Sequence, residues 1–137
     1  NRYKNHGAGL EIFGDASGRN MHTTGTTDYT LLQAFLYRAG FRNLKLRVPQ
    51  KNPAVLSRVQ KVNAILTNAL GEVRLEVDPR CKELIRDLEE VMFKPDSGVV
   101  DKLRDLRRTH ASDALGYLVW ALFGDKTVIG EKNRPLF

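Results

Sequence analysis

The chain predicts an α/β layered fold with helices packed on the faces of a sheet. Three observations predict it. Short apolar runs alternate with longer segments of helical periodicity, in the order strand, helix, strand, helix, strand, helix, helix. Glycines stand at the expected ends of the helical segments, at Gly40, Gly71 and Gly124. The 137 residues are 42% apolar and 28% charged, ordinary for one globular domain with one core.

The first strand is Leu10 to Phe13, bounded by Gly7, Gly9 and Gly14. Asp15-Ala16-Ser17-Gly18-Arg19-Asn20 and the polar tract Thr23 to Asp28 have loop composition. Tyr29 to Ala39 reads as a helix, with Leu31, Leu32, Phe35 and Leu36 at helical spacing. Leu44 to Val48 alternates apolar and basic side chains, as a strand with one wet face does. Asn52-Pro53 pairs a capping residue with a proline at the first helical position. That helix is expected to run to Leu70, with Val55, Val59, Val62 and Leu66 inward and Arg58 and Lys61 on an exposed face. Val73 to Val77 alternates as a third strand, and Asp78-Pro79 opens a helix to about Val91 that turns Leu84, Ile85 and Leu88 inward. Lys94 to Gly98 reads as a turn and Val99-Val100 as a short strand. Thr109 caps the last helix, and the tail from Gly124 reads as irregular.

Several function classes are excluded at once. No apolar run reaches the roughly 18–20 residues of a membrane span, and the opening residues lack a signal-peptide pattern. A single cysteine, Cys81, permits neither an internal disulfide nor a cysteine-built zinc site; it fits a reducing compartment and a buried or half-buried helix position. No phosphate loop and no dinucleotide-binding fingerprint is present. The net charge of +6 is unevenly spread: residues 1–71 hold ten basic and three acidic side chains, residues 72–137 twelve and thirteen. No acid at all lies between Asp28 and Glu72. A basic half points to a polyanionic partner, nucleic acid first. A solvated basic surface is the plainer alternative.

Two acids stand out. Asp113 heads Ala114 to Phe123, ten uncharged and almost wholly apolar residues, and a helix apolar on every side is a buried one. A carboxylate at the edge of a core needs a partner, and no basic residue follows within one helical turn. Either a metal ion serves, or Asp113 faces the positive end of the helix dipole for about 0.3–1 kcal/mol. Asp15 follows a strand and is flanked by Gly14, Ala16, Ser17 and Gly18. Ligands gather outside the carboxyl ends of strands in open α/β sheets, and small neighbours admit a close approach; a turn aspartate bonding its own backbone is equally compatible. Together the two acids make oxygen donors for a hard divalent cation such as Mg2+ or Mn2+. With a basic surface beside them, they suggest a metal-dependent nuclease.

Four segments occur in order: Gly14-Asp15-Ala16-Ser17-Gly18; Asn52-Pro53 with Arg58-Val59 and Val62-Asn63; Asp78 to Glu89; and Thr109-His110-Ala111-Ser112-Asp113-Ala114-Leu115-Gly116-Tyr117. Over residues 10–124 the chain resembles the C-terminal nuclease domain of the large terminase subunit of tailed bacteriophages. The resemblance implies a ribonuclease H-like fold with a central mixed sheet, here one domain over residues 1–137 without its first strands. It implies a two-metal endonuclease that cuts concatemeric viral double-stranded DNA during packaging in the infected bacterial host's cytoplasm. Of three metal-binding acids in that family, Asp15 matches the middle one and Asp113 the last. The first would lie upstream, as would the ATPase domain, so this chain alone is expected to be weak or inactive and monomeric. Glu11 shares a strand face with Asp15 but is not expected to replace the first acid.

His110 could order a water or touch a scissile phosphate, or bond backbone at the helix terminus. Arg58, Lys61, Lys51 and Lys102 are candidates for DNA-backbone contact, which positions DNA without reading sequence. Implied partners are the ATPase domain, the small terminase subunit and the portal. The alternatives are a catalytically silent DNA- or portal-docking module, or another ribonuclease H-like nuclease of resolvase or transposase type.

Overall fold

The computed structural model describes residues 8–90 and 109–124. The helix end at Val91, the turn at Lys94 to Gly98, the strand at Val99-Val100, Lys102 and the tail after Gly124 lie outside them. The order is β1 (Leu10–Ile12), a short 3-10 turn (Ala16–Arg19), α1 (Asp28–Arg38), β2 (Leu44–Leu46), α2 (Val55–Leu66), α3 (Lys82–Glu90) and α4 (His110–Phe123). Among the described residues the sheet is one parallel pair, with Leu10 opposite Leu44 and Ile12 opposite Leu46. A parallel pair needs a crossover, and α1 provides it. Thr27 starts α1 by accepting the Thr30 N–H at 3.1 Å.

Among the described residues the third strand is not formed: Val73 to Val77 has no regular secondary structure, and the Arg74 N–H donates to the Ile65 carbonyl at the end of α2. Its alternation survives as Leu75 and Val77 half-buried, Leu75 packing on the helical core. Both helix starts read from proline pairs also move. Asn52 does not cap α2, which begins at Val55, because its side chain is engaged elsewhere. Asp78 forms a turn, accepting the Arg80 N–H at 2.8 Å, and α3 begins at Lys82. The end of α2 comes at Leu66 rather than Leu70. Asn68 draws the chain into a turn by accepting the N–H groups of Leu70 and Glu72. Cys81 is exposed, one residue before α3.

The core lies among α2, α3 and α4. Val62, Ile65 and Val119 are its buried centre, with Leu66, Leu75, Leu88, Leu115 and Phe123 packed around them. The inward face of α2 is therefore Arg58, Val62 and Ile65, spaced by four and three, while Val55 is 40% exposed. Asp87 on α3 is buried at 3% exposure and anchors the start of α4. Its Oδ2 accepts the N–H groups of Ala111 and Ser112 at 2.9 and 3.1 Å. Thr109 makes no side-chain cap bond; its αR backbone is not the extended conformation a cap adopts. Of α4 only Gly116 and Val119 are buried, and Leu122 is 50% exposed, because the helices that pack on it cover one side. On α1, Tyr29, Gln33 and Leu36 face inward, whereas Leu31 and Phe35 are exposed. No helix among the described residues is long and apolar enough to cross a membrane.

Candidate functional site

Asp15 lies three residues beyond the carboxyl end of β1, where α4 passes. Its Oδ1 accepts the Ser17 N–H at 2.5 Å and the Asn52 Nδ2–H at 2.8 Å; its Oδ2 accepts the Tyr117 hydroxyl at 3.0 Å. Asn52 completes the clamp by accepting the Ala16 N–H at 2.8 Å. The small residues around Asp15 make room for an aromatic ring. A Cβ at Gly14 or Gly18 would collide with Tyr29, whose hydroxyl donates to the Asp15 carbonyl at 2.7 Å.

Partial burial alone would raise the Asp15 carboxyl. The hydrogen bonds from Asn52, Ser17 and Tyr117 outweigh it and hold the group down at about 2. The ionised form therefore persists throughout the neutral range. Folding lowers this acid, so the stability it confers is complete above its ordinary value of 3.8 and is lost as pH falls through about 2. Asn52→Ala is expected to move the carboxyl upward toward 3.8, read as the midpoint of its carboxylate carbon shift in an NMR titration. An unmoved midpoint would show that Asn52 does not hold it. Burial and the bond to Asp15 push the Tyr117 phenol upward, so it stays a hydrogen-bond donor.

Asp113 finds its partner on another helix. Arg58, 4% exposed and 55 positions earlier, donates from Nη2 to Asp113 Oδ1 at 2.5 Å. The expectation that Arg58 lies on an exposed face of α2 is thus corrected: it stands in register with Val62 and Ile65 and points into the α2–α4 seam. Gly116 admits it, since a Cβ there would come within 2.8 Å of Arg58 Cδ. The guanidinium carbon lies 4.1 Å from the centre of the Tyr117 ring, a cation–π contact. Tyr117 is one helical turn after Asp113 and shares its face.

The two acids therefore belong to one connected arrangement: Asn52, Asp15, Tyr117, Arg58, Asp113. A cleft of about 150 Å³ adjoins it, lined by Arg58, Asp87 and Asp113 among others. Asn52 reads from the sequence as a helix cap, and neither Tyr117 nor Asp87 carries a sequence signal of its own for this site. The i, i+4 spacing of Asp113 and Tyr117 was the available signal for one of them. Glu11 is engaged elsewhere, its carboxylate 2.9 Å from Arg47 and 3.6 Å from Lys45; the Arg47 bond leads in holding it below its ordinary value. His110 is exposed at the first residue of α4, Lys51 is exposed beside Asn52, and Lys61 is half-buried.

The chain matches the family model of the terminase RNaseH-like domain over residues 1–122. It belongs to that family. Membership places it with the C-terminal nuclease domain of the large terminase and agrees with the α/β architecture. No curated protein and no solved structure matches the chain. Ribonuclease H-like nuclease domains of this kind generally work with divalent metals. The donor chemistry fits such an ion, since both acids are hard oxygen ligands. Among the described residues, however, no group of three or more His, Cys, Asp or Glu stands ready to hold one.

Proposed function

We propose that this terminase domain is a metal-dependent endonuclease that cleaves concatemeric viral double-stranded DNA during genome packaging. The observation that carries the reading is the convergence of Asp15 and Asp113, 98 positions apart, on one set of contacts beside the carboxyl end of β1: Tyr117 bonds Asp15, Arg58 bonds Asp113, and a cation–π contact joins the two. Asp15 and Asp113 are the residues that would hold Mg2+ or Mn2+, two ions in the intact site. Bound there, the metal supplies Lewis-acid polarisation of the phosphodiester and an activated water.

The chain's own residues do the rest. Asn52, the Ser17 amide and Tyr117 keep Asp15 ionised and oriented. Asp87 fixes the first turn of α4 and with it Asp113. His110, exposed on that same turn, can reach water or phosphate, and Lys51 lies next to the Asp15 clamp; Lys51, Lys61 and Lys102 are the residues assigned to contact with the DNA backbone. Double-stranded DNA is the substrate; the ATPase domain, small terminase subunit and portal are the partners, in the infected bacterial host's cytoplasm. A silent docking module is the second reading, favoured by the Arg58 guanidinium already paired with Asp113.

In the intact terminase, Asp15→Asn and Asp113→Asn are each expected to abolish Mg2+-dependent nicking of supercoiled plasmid while DNA retention on a filter is unchanged. Normal nicking by both variants would refute the nuclease assignment of these acids and leave the docking reading.

A further inference from the structure

We propose that Arg58 is the resident counter-cation of this acidic site: its guanidinium holds Asp113, and a divalent ion binds there only by displacing it. The proposal rests on the metal reading above and adds a residue that sets the affinity. Three observations carry it. The guanidinium contacts a carboxylate oxygen that would be a metal ligand, Asp113 Oδ1. Its placement is built in: the stem lies where Gly116 leaves space for it, and the charge stacks on the Tyr117 ring, whose hydroxyl reaches Asp15. At 4% exposure it is a side chain of the α2–α4 seam, not a surface cation reaching for bulk solvent.

Magnitudes decide the sign. Arg58 also orders Asp113, and losing that order would weaken metal binding by the small entropy of a short side chain. A monovalent and a divalent cation sharing one carboxylate repel far more strongly at protein-like dielectric. Competition therefore outweighs positioning. The cleft that Arg58 and Asp113 line leaves room for the displaced guanidinium.

The test is a titration of the 137-residue chain with Mn2+, free ion being read by electron paramagnetic resonance. Arg58→Met keeps an unbranched stem and a sulfur that packs on the Tyr117 ring, but removes the charge. It is expected to bind Mn2+ at least about tenfold more tightly than the parent, with Arg58→Lys, which keeps the charge, short of that gain. Adding Asp113→Asn to Arg58→Met should cancel it. Equal or weaker binding by a folded Arg58→Met, beside measurable binding by the parent, overturns the competition and leaves the metal reading standing. Absence of Mn2+ binding in both overturns the metal reading and the competition with it. Should Arg58→Met not fold, the parent chain decides: the Arg58 Nε–Hε resonance is expected to shift saturably with Mg2+. A resonance unmoved while the Ser17 amide saturates overturns the proposal.

Discussion

Asp113→Ala is expected to lose about 3 kcal/mol of folding stability, the lower end of the range for breaking a buried ion pair. For a domain of this size that corresponds to a melting temperature about 10 °C lower. The loss arises at Arg58, whose side chain is 5% exposed while that of Asp113 is 32% exposed. Removing the acid leaves the guanidinium between Gly116 and Tyr117 without its carboxylate, where water reaches it poorly. Asp113→Asn keeps an acceptor oxygen for Arg58 and is expected to lose only about 1 kcal/mol. Urea denaturation followed by circular dichroism measures both. An alanine variant as stable as the parent would mean that Arg58 finds another partner. The order of these two values also explains why asparagine, rather than alanine, isolates the chemistry of this acid from its structural part.

Asp87→Ala is expected to have a comparable effect, about 3 kcal/mol, from two backbone N–H groups left without acceptors at a helix terminus. The Ala111 and Ser112 amides both point at Asp87 Oδ2, and no side-chain cap on α4 replaces it. The first turn of α4 carries His110 and Asp113, so its fraying would also disperse the site. Hydrogen exchange at Ala111 and Ser112 should accelerate with the loss of stability. Unchanged protection at those amides would show that α4 starts without help from α3.

The sequence made the order of elements and both acids legible because each left a local signal. Apolar periodicity marked α1, α2 and α3, a continuous apolar run marked α4, bounding glycines marked β1, alternation marked β2, and an acid before an apolar helix marked Asp113. Local signals failed where a distant contact won. Asn52 has the residue type of a cap, yet its side chain bonds Asp15 and Ala16, and α2 starts two residues after Pro53. Val73 to Val77 has strand alternation, but its described backbone bond goes to a helix end rather than a strand edge. Arg58 looked exposed because arginine usually is; glycine at position 116, 58 residues later, is what buries it. The partner of Asp113 could not be read within one helical turn because it sits on α2.

These departures sharpen the functional reading. An acid for which the sequence offers a metal or the helix dipole as partner already has a cation, and the arginine expected on an exposed face is buried against it. The site is a coupled set in which Tyr117 touches one acid through its hydroxyl and the other acid's partner through its ring.

Anomalous scattering from crystals of the chain soaked in Mn2+ tests whether Asp15 and Asp113 are ligands of one divalent-metal site. The expected result is a manganese peak in contact with carboxylate oxygens of both residues, with the Arg58 guanidinium withdrawn from Asp113. Manganese bound elsewhere, with Arg58 still on Asp113 and neither acid coordinated, would contradict it.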